Sequence, residues 1–296
     1  MLDADYVAPT SVADAVKALG QAGGDAKLLA GGTDLLVQMR GGRLRPKLII
    51  DLKRLSELAE IREDEAGFWI GAAAPGIALG RCESLRAAWP GVVEAANLIG
   101  SDQVQARASL GGNLANASPA ADSVPALIAA GAVCVIEGPG GRRQAPVETV
   151  QTGPGRTSLA SDEIIVGFAL PRRPERSGDA YLRLIPRTEM DIAVVGAGVN
   201  LEFDPNGVCT FARVSLGAVA PTALLVEDAG AALVGTTLDE AALAAMDAAV
   251  EAACRPIEDK RGTVAYRTRV AKVLARRAAA IARDRAMNRS MNGTTS

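Results

Sequence analysis

Apolar residues return at helical intervals in residues 11–19, where Val12, Ala15, Val16 and Leu19 share one face and Ser11 stands at the N-cap position. Short apolar runs at 27–30 and 48–52 read as buried strands, and between them Leu35, Leu36 and Met39 recur at helical spacing. Residues 61–73 read as a hairpin, with strands at 61–63 and 68–72 around a turn containing Gly67. Helical stretches follow at 77–82 and 85–88, stopped near Pro90-Gly91, then at 92–98 and 123–130. Strands are expected at 132–137, ending in the turn Gly138-Pro139-Gly140-Gly141, and at 162–168. Between Pro171 and Gly178 the composition changes to Pro-Arg-Arg-Pro-Glu-Arg-Ser-Gly, a linker at which the chain divides. Beyond it, 193–203 and 208–218 form a hairpin over Asp204-Pro205-Asn206-Gly207, followed by Ala-rich helices at 224–233 and 238–253. The last helix, 267–286, is basic and amphipathic, its arginines facing either solvent or a partner, and 288–296 reads as a frayed tail.

The turn between the first strand and its helix carries candidate chemistry. Gly31-Gly32 permits positive φ and leaves no Cβ over the backbone, so successive N–H groups can converge on one anion, while Thr33 or Asp34 caps the helix that follows. Such a pair is either a plain turn or a pyrophosphate cradle. A second stretch, 108–123, repeats the Gly-Gly pair at Gly111-Gly112 and adds Asn113, Asn116, Ser118, Asp122 and Ser123, more hydrogen-bonding groups than a turn needs. Together the two segments could grip one long, polar-headed ligand from both sides. By contrast, Val195-Gly196-Ala197-Gly198 opens like a dinucleotide fingerprint, but Leu201 takes the third glycine's place and the turn at 204–207 arrives before a helix can form. It reads as a glycine-containing strand.

Composition narrows the chemistry. The formal net charge of −2, with acids and bases interspersed, gives no electrostatic reason to expect nucleic acid, and aromatics at 3% offer few stacking platforms. No apolar run approaches the roughly 20 residues of a membrane span, and the acidic start Met1-Leu2-Asp3-Ala4-Asp5 is unlike a signal peptide; a cytoplasmic protein is expected. The chain contains no histidine, which removes His-based triads, His-ligated metals and a flavin tethered through imidazole. Cys82, Cys134, Cys209 and Cys254 lie far apart, without the close runs that iron–sulfur clusters use, and Cys134 reads as a core thiol. No metal ligands are expected.

The segments 30–36 (Ala-Gly-Gly-Thr-Asp-Leu-Leu) and 110–119 (Leu-Gly-Gly-Asn-Leu-Ala-Asn-Ala-Ser-Pro), in this order and separation, resemble the two flavin loops of the FAD-binding medium subunit of molybdenum hydroxylases. That group includes carbon-monoxide dehydrogenase and the FAD part of xanthine dehydrogenase. The resemblance, which extends over nearly the whole chain, implies an α+β fold. A two-lobed FAD-binding domain of the PCMH (vanillyl-alcohol oxidase-like) type would occupy 1–173, with lobes of about 1–56 and 57–173. A smaller C-terminal domain, with an antiparallel sheet and helices, would occupy 179–288. It also implies non-covalent FAD wrapped by Lys27, Leu28, Leu29, Ala30, Gly31, Gly32, Thr33, Asp34 and Leu35. Ala108, Ser109, Gly112, Asn113 and Ala117 would form the second wall, and Asp122 would accept from a ribitol or ribose hydroxyl. Ile99 and Gly100, then Ile164 and Ile165, would lie near the flavin. Arg187 and Asp191 match a segment on the isoalloxazine side, with Ile192 against the ring, although an ordinary domain-interface ion pair fits them equally.

The same resemblance implies an electron-transfer subunit beside a large molybdopterin subunit and a small [2Fe-2S] subunit, in a dimer of heterotrimers, with those cofactors confined to the partners. The absence of histidine favours such a relay over substrate chemistry, though a Lys, Arg or carboxylate base stays open. The alternative is a stand-alone FAD-dependent reductase of related fold, similar to the enolpyruvyl-sugar reductases.

Overall fold

The computed structural model describes residues 4–187 and 190–292. Its first lobe is a three-stranded parallel sheet, order β1-β3-β2, built from β1 (Asp5–Val7), α1 (Val12–Gln21), β2 (Ala26–Leu29), α2 (Leu35–Arg40), β3 (Leu48–Asp51) and α3 (Ser56–Ala59). Helix α1 begins where the side chains dictate. Ser11 is extended, its Oγ accepts from the Asp14 amide, and Val12, Ala15, Val16 and Leu19 are the buried face. That face packs on Ile50, Leu52 and Leu55 from the sheet side and on Ile164 and Val166 from the next lobe.

The second lobe contains β4 (Ile61–Asp64), β5 (Gly67–Gly71), α4 (Gly76–Arg81), α5 (Glu83–Ala88), α6 (Pro90–Asn97), α7 (Asp102–Gln105), α8 (Leu110–Ala115) and α9 (Ser123–Ala129). It continues through β6 (Val133–Gly138), β7 (Gly141–Pro146), β8 (Gln151–Gly153), β9 (Arg156–Thr157) and β10 (Ile164–Pro171). Five of these strands form an antiparallel sheet in the order β4-β5-β10-β6-β7. Cys134 is fully buried on β6, and burial pushes its thiol up to about 12, so it is a core thiol.

The C-terminal part is a four-stranded antiparallel sheet, β11 (Ser177–Leu184), β12 (Val195–Phe203), β13 (Cys209–Gly217) and β14 (Leu224–Leu225), followed by α10 (Glu227–Ala231), α11 (Glu240–Ala253) and the 29-residue α12 (Val264–Asn292). The glycine-containing segment around residue 196 is strand β12, with no helix after it. Its glycines serve close packing: a Cβ at Gly196 would stand 2.6 Å from the Tyr181 hydroxyl, and one at Gly198 2.8 Å from the Pro125 carbonyl of α9. The expected helix at 224–233 is a two-residue strand and then a five-residue helix, because Leu224 and Leu225 pair with β13.

Two polar segments carry more internal pairing than their composition suggests. The linker arginine Arg173 has a side chain only 3% exposed. The basic face of α12 is in part paired within the chain, while Arg269 and Arg277 stay exposed. Arg285 pairs with Glu94 of α6, Arg289 donates to the Ala88 carbonyl, and Arg276 pairs with Asp247 and Glu240 of α11. The helix also runs on to Asn292, through much of the expected frayed tail, whose last residues, 293–296, lie outside the described ones.

Candidate functional site

Where β2 ends, the chain passes so close to the second lobe that no side chain fits. A Cβ at Gly31 would lie 1.9 Å from the Arg107 carbonyl oxygen, and Gly32 then turns with φ of +79°. Helix α2 starts without the expected cap, since Asp34 at the N-cap position has helical backbone angles and its side chain caps nothing. The amide groups of Gly32, Thr33, Asp34 and Leu35 consequently find no acceptor among the described residues. With six residues in α2, these free donors matter more here than a helix dipole.

The opposite wall differs from the expected turn. Gly111 and Gly112 lie inside helix α8, which Ser109 caps by accepting from the Gly112 amide at 3.2 Å. Gly111 is required because a Cβ there would sit 2.5 Å from the Ala72 carbonyl oxygen. Asn113 is fixed by accepting from the amide and hydroxyl of Ser123, at 3.2 and 2.7 Å. The two walls are also joined directly. Gln38 Nε2 donates to Asn116 Oδ1 at 3.0 Å, and Arg107 Nε donates to the Gly31 carbonyl at 3.4 Å.

Between them lies a cleft of about 620 Å³, within the usual range for small-molecule sites. Its lining brings together Lys27, Leu28, Ala30, Gly31, Gly32, Thr33, Asp34, Leu35, Ile99, Ala108, Ser109, Gly112, Asn113, Ile164 and Ile165. Leu29 is not in the lining; its side chain packs beneath the turn, 2.9 Å from where a Gly32 Cβ would point. Ala117 is buried behind the wall in a left-handed turn, φ +49°, accepting from the Gly155 amide. Gly100 lines a second cavity of about 820 Å³, while Ile99, the residue before it, lines the cleft. The sequence reading missed Gln38, Asn116 and Glu163 as site residues. Asn116 was visible as a polar group of the second segment, whereas Glu163 is held from outside by Arg143 at 2.6 and 2.7 Å. That hydrogen-bonded pairing with Arg143 keeps the Glu163 carboxyl below its ordinary range.

Other expected contacts lie elsewhere. Arg187 and Asp191 pair at 2.9 Å but line neither cavity. Asp191 also receives Arg261 at 3.5 Å, so the knot lies within the C-terminal part, not between domains. Ile192 is 54% exposed and outside the cleft.

Asp122 points away from the cleft as well. It accepts from the Tyr181 hydroxyl at 3.0 Å and from Arg183 at 2.6 Å, both on β11, because this buried carboxylate meets the C-terminal sheet. Burial raises its pKa from 3.8 to about 6, against the downward pull of Arg183 and Tyr181. The folded chain therefore binds this proton more readily than the unfolded chain does. Its contribution to stability falls as pH rises between 3.8 and about 6 and is constant above. In urea unfolding, wild type should gain on Asp122→Asn as pH drops through that window, by at most about 3 kcal/mol at about 1.4 kcal/mol per pH unit. A gap between the two that ignores pH would contradict this.

Fold and site thus define a two-walled nucleotide-type cleft, built from the two N-terminal lobes of an α+β protein. Residues 2–173 match the family model described as the FAD binding domain in molybdopterin dehydrogenase, and residues 180–282 match the CO dehydrogenase flavoprotein C-terminal domain. The carbon monoxide dehydrogenase medium chain of Hydrogenophaga pseudoflava is 40% identical over 275 residues, 93% of this chain and 95% of that one. The corresponding chain of Afipia carboxidovorans is 36% identical over 284 residues, 96% and 98% of the two. In three dimensions, a chain of the carbon monoxide dehydrogenase from Hydrogenophaga pseudoflava lacking the Mo-pyranopterin moiety superposes with a TM-score of 0.91 at 38% identity, over 95% of this chain and 98% of that one. A chain of quinoline 2-oxidoreductase from Pseudomonas putida 86 does so at 0.87 and 26% identity, over 96% and 98%. The chain belongs to the FAD-binding subunits of molybdenum hydroxylases. It is an oxidoreductase subunit whose cofactor is FAD.

The cleft fits that cofactor. Consecutive unpaired amides on one wall suit the pyrophosphate, and Gly31, Gly32 and Gly112 keep side chains out of its path.

Proposed function

We propose that this chain is the electron-transfer subunit of a heteromeric molybdenum hydroxylase, taking electrons from [2Fe-2S] centres of a small subunit and delivering them through FAD to an external acceptor. Bound FAD would supply redox chemistry in one- and two-electron steps. The chain's own residues would bind, orient and screen it. The amides of residues 32–35 would hold the pyrophosphate; Ser109 and Asn113 would shape the facing wall; Ile164 and Ile165 would supply apolar contact. The ring end would pass Ile99–Gly100 towards the second cavity.

The single observation that carries this reading is that both glycine segments line one cleft, and that Gly31 touches Arg107, 76 residues on and just before the second segment. The ionisable groups in that lining are Lys27, Asp34 and Glu163, the last bound by Arg143, which is a poor set for proton abstraction from a substrate. Among the described residues no helix is long and apolar enough to cross a membrane. The proposed setting is the cytoplasm, in a dimer of heterotrimers with a large molybdopterin subunit and a small [2Fe-2S] subunit.

The test is purification of the complex from its native host, and of this chain alone with added FAD. The complex should contain two further chains, with molybdopterin and iron–sulfur in those chains. The isolated chain should carry one FAD per chain, released by denaturation, and should not turn over an organic substrate by itself. Rapid reduction of a small substrate by the isolated chain would instead favour the stand-alone reductase, and a chain that takes up no flavin would end the proposal.

A further inference from the structure

The second cavity is lined on one side by residues of α4, α6, the Gly100-Ser101 turn and α7, and on the other by one residue of the C-terminal sheet, Arg183. The Arg183 side chain is only 6% exposed. Its Nη1 is committed to Asp122 at 2.6 Å, while Nε is excluded from solvent with no acceptor, and Nη2 has none among the described residues either. Arg81 and Asp102 also border the cavity, but both are exposed, so water and salt weaken their fields. Arg183 is thus the buried cation of this cavity.

A buried guanidinium with unspent donors is costly unless something supplies the acceptor. The chain has arranged the opposite of relief. Asp122 is itself held by the hydroxyl of Tyr181, two residues before Arg183 on the same face of β11, so carboxylate and guanidinium are fixed together at the cavity wall. Gly100, with φ of +67°, packs so closely on Val104 that a Cβ there would stand 2.7 Å from that side chain; it borders this cavity, while Ile99 beside it lines the cleft. The acceptor that fits is the polar edge of a ring reaching the cavity from the cleft.

We propose that Arg183 faces the ring end of bound flavin and sets how strongly the site prefers reduced over oxidised FAD, with Asp122 as the positioning residue that holds the guanidinium and tempers its charge. This rests on the reading that FAD occupies the cleft with its ring towards Ile99 and Gly100. Reduction adds electron density to the ring, and a buried cation favours the electron-richer form more than an exposed one would. Removing the cation must lower the preference for reduced FAD; removing only the neighbouring negative charge must raise it.

The experiment loads wild type, Arg183→Gln, Arg183→Lys and Asp122→Asn with FAD at mildly alkaline pH. It measures FAD dissociation constants by flavin fluorescence and two-electron midpoint potentials by equilibration with a reference dye and dithionite. Arg183→Gln should lose about tenfold in relative affinity for reduced FAD, about 30 mV downward for a two-electron couple. Asp122→Asn, which keeps an oxygen acceptor for Arg183, should move the potential upward, and Arg183→Lys should stay within about threefold of wild type, under 15 mV on the same scale. A purely structural role would move Arg183→Gln and Asp122→Asn in the same direction, and that result, or no shift in either, overturns the proposal while FAD binding in the wild type leaves the functional reading standing. Wild type that takes up no FAD overturns both.

Discussion

Gly31→Ala should strip the protein of FAD. The added methyl carbon would lie 1.9 Å from the Arg107 carbonyl oxygen, 2.5 Å from its carbon and 3.1 Å from the Ala108 amide nitrogen, all backbone atoms that no rotamer change can move. Relief requires the two walls to part, and Arg107 leads within two residues into Ser109, the cap of α8. Overpacking of this kind costs about 3 kcal/mol, the upper end of the usual range. If half or more of that falls on the geometry of the cleft, FAD affinity drops at least about tenfold, and about a hundredfold if nearly all does. Gly32→Ala offers a graded comparison. Its φ of +79° makes any side chain strained, by about 1–2 kcal/mol, yet the first atom met is the flexible end of Leu29. Gly112→Ala meets only Ser109 Oγ at 3.3 Å, within a helix where Ala is the better former, so it should leave the fold as stable as before. Flavin fluorescence titration beside urea unfolding ranks the three. Gly31→Ala binding FAD as tightly as wild type would mean that the walls do not meet as described.

These glycines show what the sequence makes legible. The need for Gly32 is local, a positive φ between a strand and a helix, and a turn-forming pair between apolar runs announces it. The need for Gly31 is created by Arg107, 76 residues away, and no local pattern carries that contact. At Gly111-Gly112 the local signal misleads. Paired glycines read as a turn, while Ser109 as cap and Leu110 and Leu114 one turn apart make a helix, and Gly111 is glycine only because Ala72 packs against it. Asp122 lies in the same segment, but its partners in the folded chain, Tyr181 and Arg183, come from β11, which no local pattern announces.

Strands were found where apolar alternation exists and lost where it does not. Strand β12 and strand β13 bury long apolar runs around a four-residue polar turn, and that pattern stands alone. Strand β7, Gly-Arg-Arg-Gln-Ala-Pro, buries only Ala145 along its length and is a strand because β6 offers an edge to pair with. Strand β11 begins Ser-Gly-Asp, which looks like the end of a linker, but Gly178 is there because α12 crosses it so closely that a Cβ would fall 1.9 Å from the Ala282 carbonyl oxygen. A tertiary contact has overridden a turn-like composition in each case.

That same join between domains carries the second large effect. Arg173→Met should cost the protein about 3–5 kcal/mol, the range for breaking a buried ion pair by deleting one partner. Arg173 donates through Nη1 to Asp179 at 2.5 Å and to the Ala88 carbonyl at 3.0 Å, through Nη2 to Asn200 at 2.8 Å and through Nε to Ser177 at 3.1 Å; its guanidinium carbon lies 4.1 Å from the centre of the Trp89 ring. Burial presses both partners towards neutrality, raising the Asp179 carboxyl and lowering Arg173, and each opposes that pressure on the other. With methionine at 173 the stem still packs on Trp89, but Asp179 is left charged and buried. Its carboxyl then titrates higher still in the folded chain than in the unfolded one. The deficit should therefore grow as pH rises above the ordinary carboxylate range and shrink as Asp179 becomes protonated. The double variant Arg173→Met/Asp179→Asn removes both charges and should recover most of the loss, because a neutral pair in this position has no uncompensated charge to bury. Urea unfolding of the three proteins across pH decides it: a deficit independent of pH, or a double variant no better than the single one, would show that packing on Trp89 rather than charge holds the join. Because Asp179 and Arg183 share strand β11, a loosened join would also loosen the wall that Arg183 gives the second cavity.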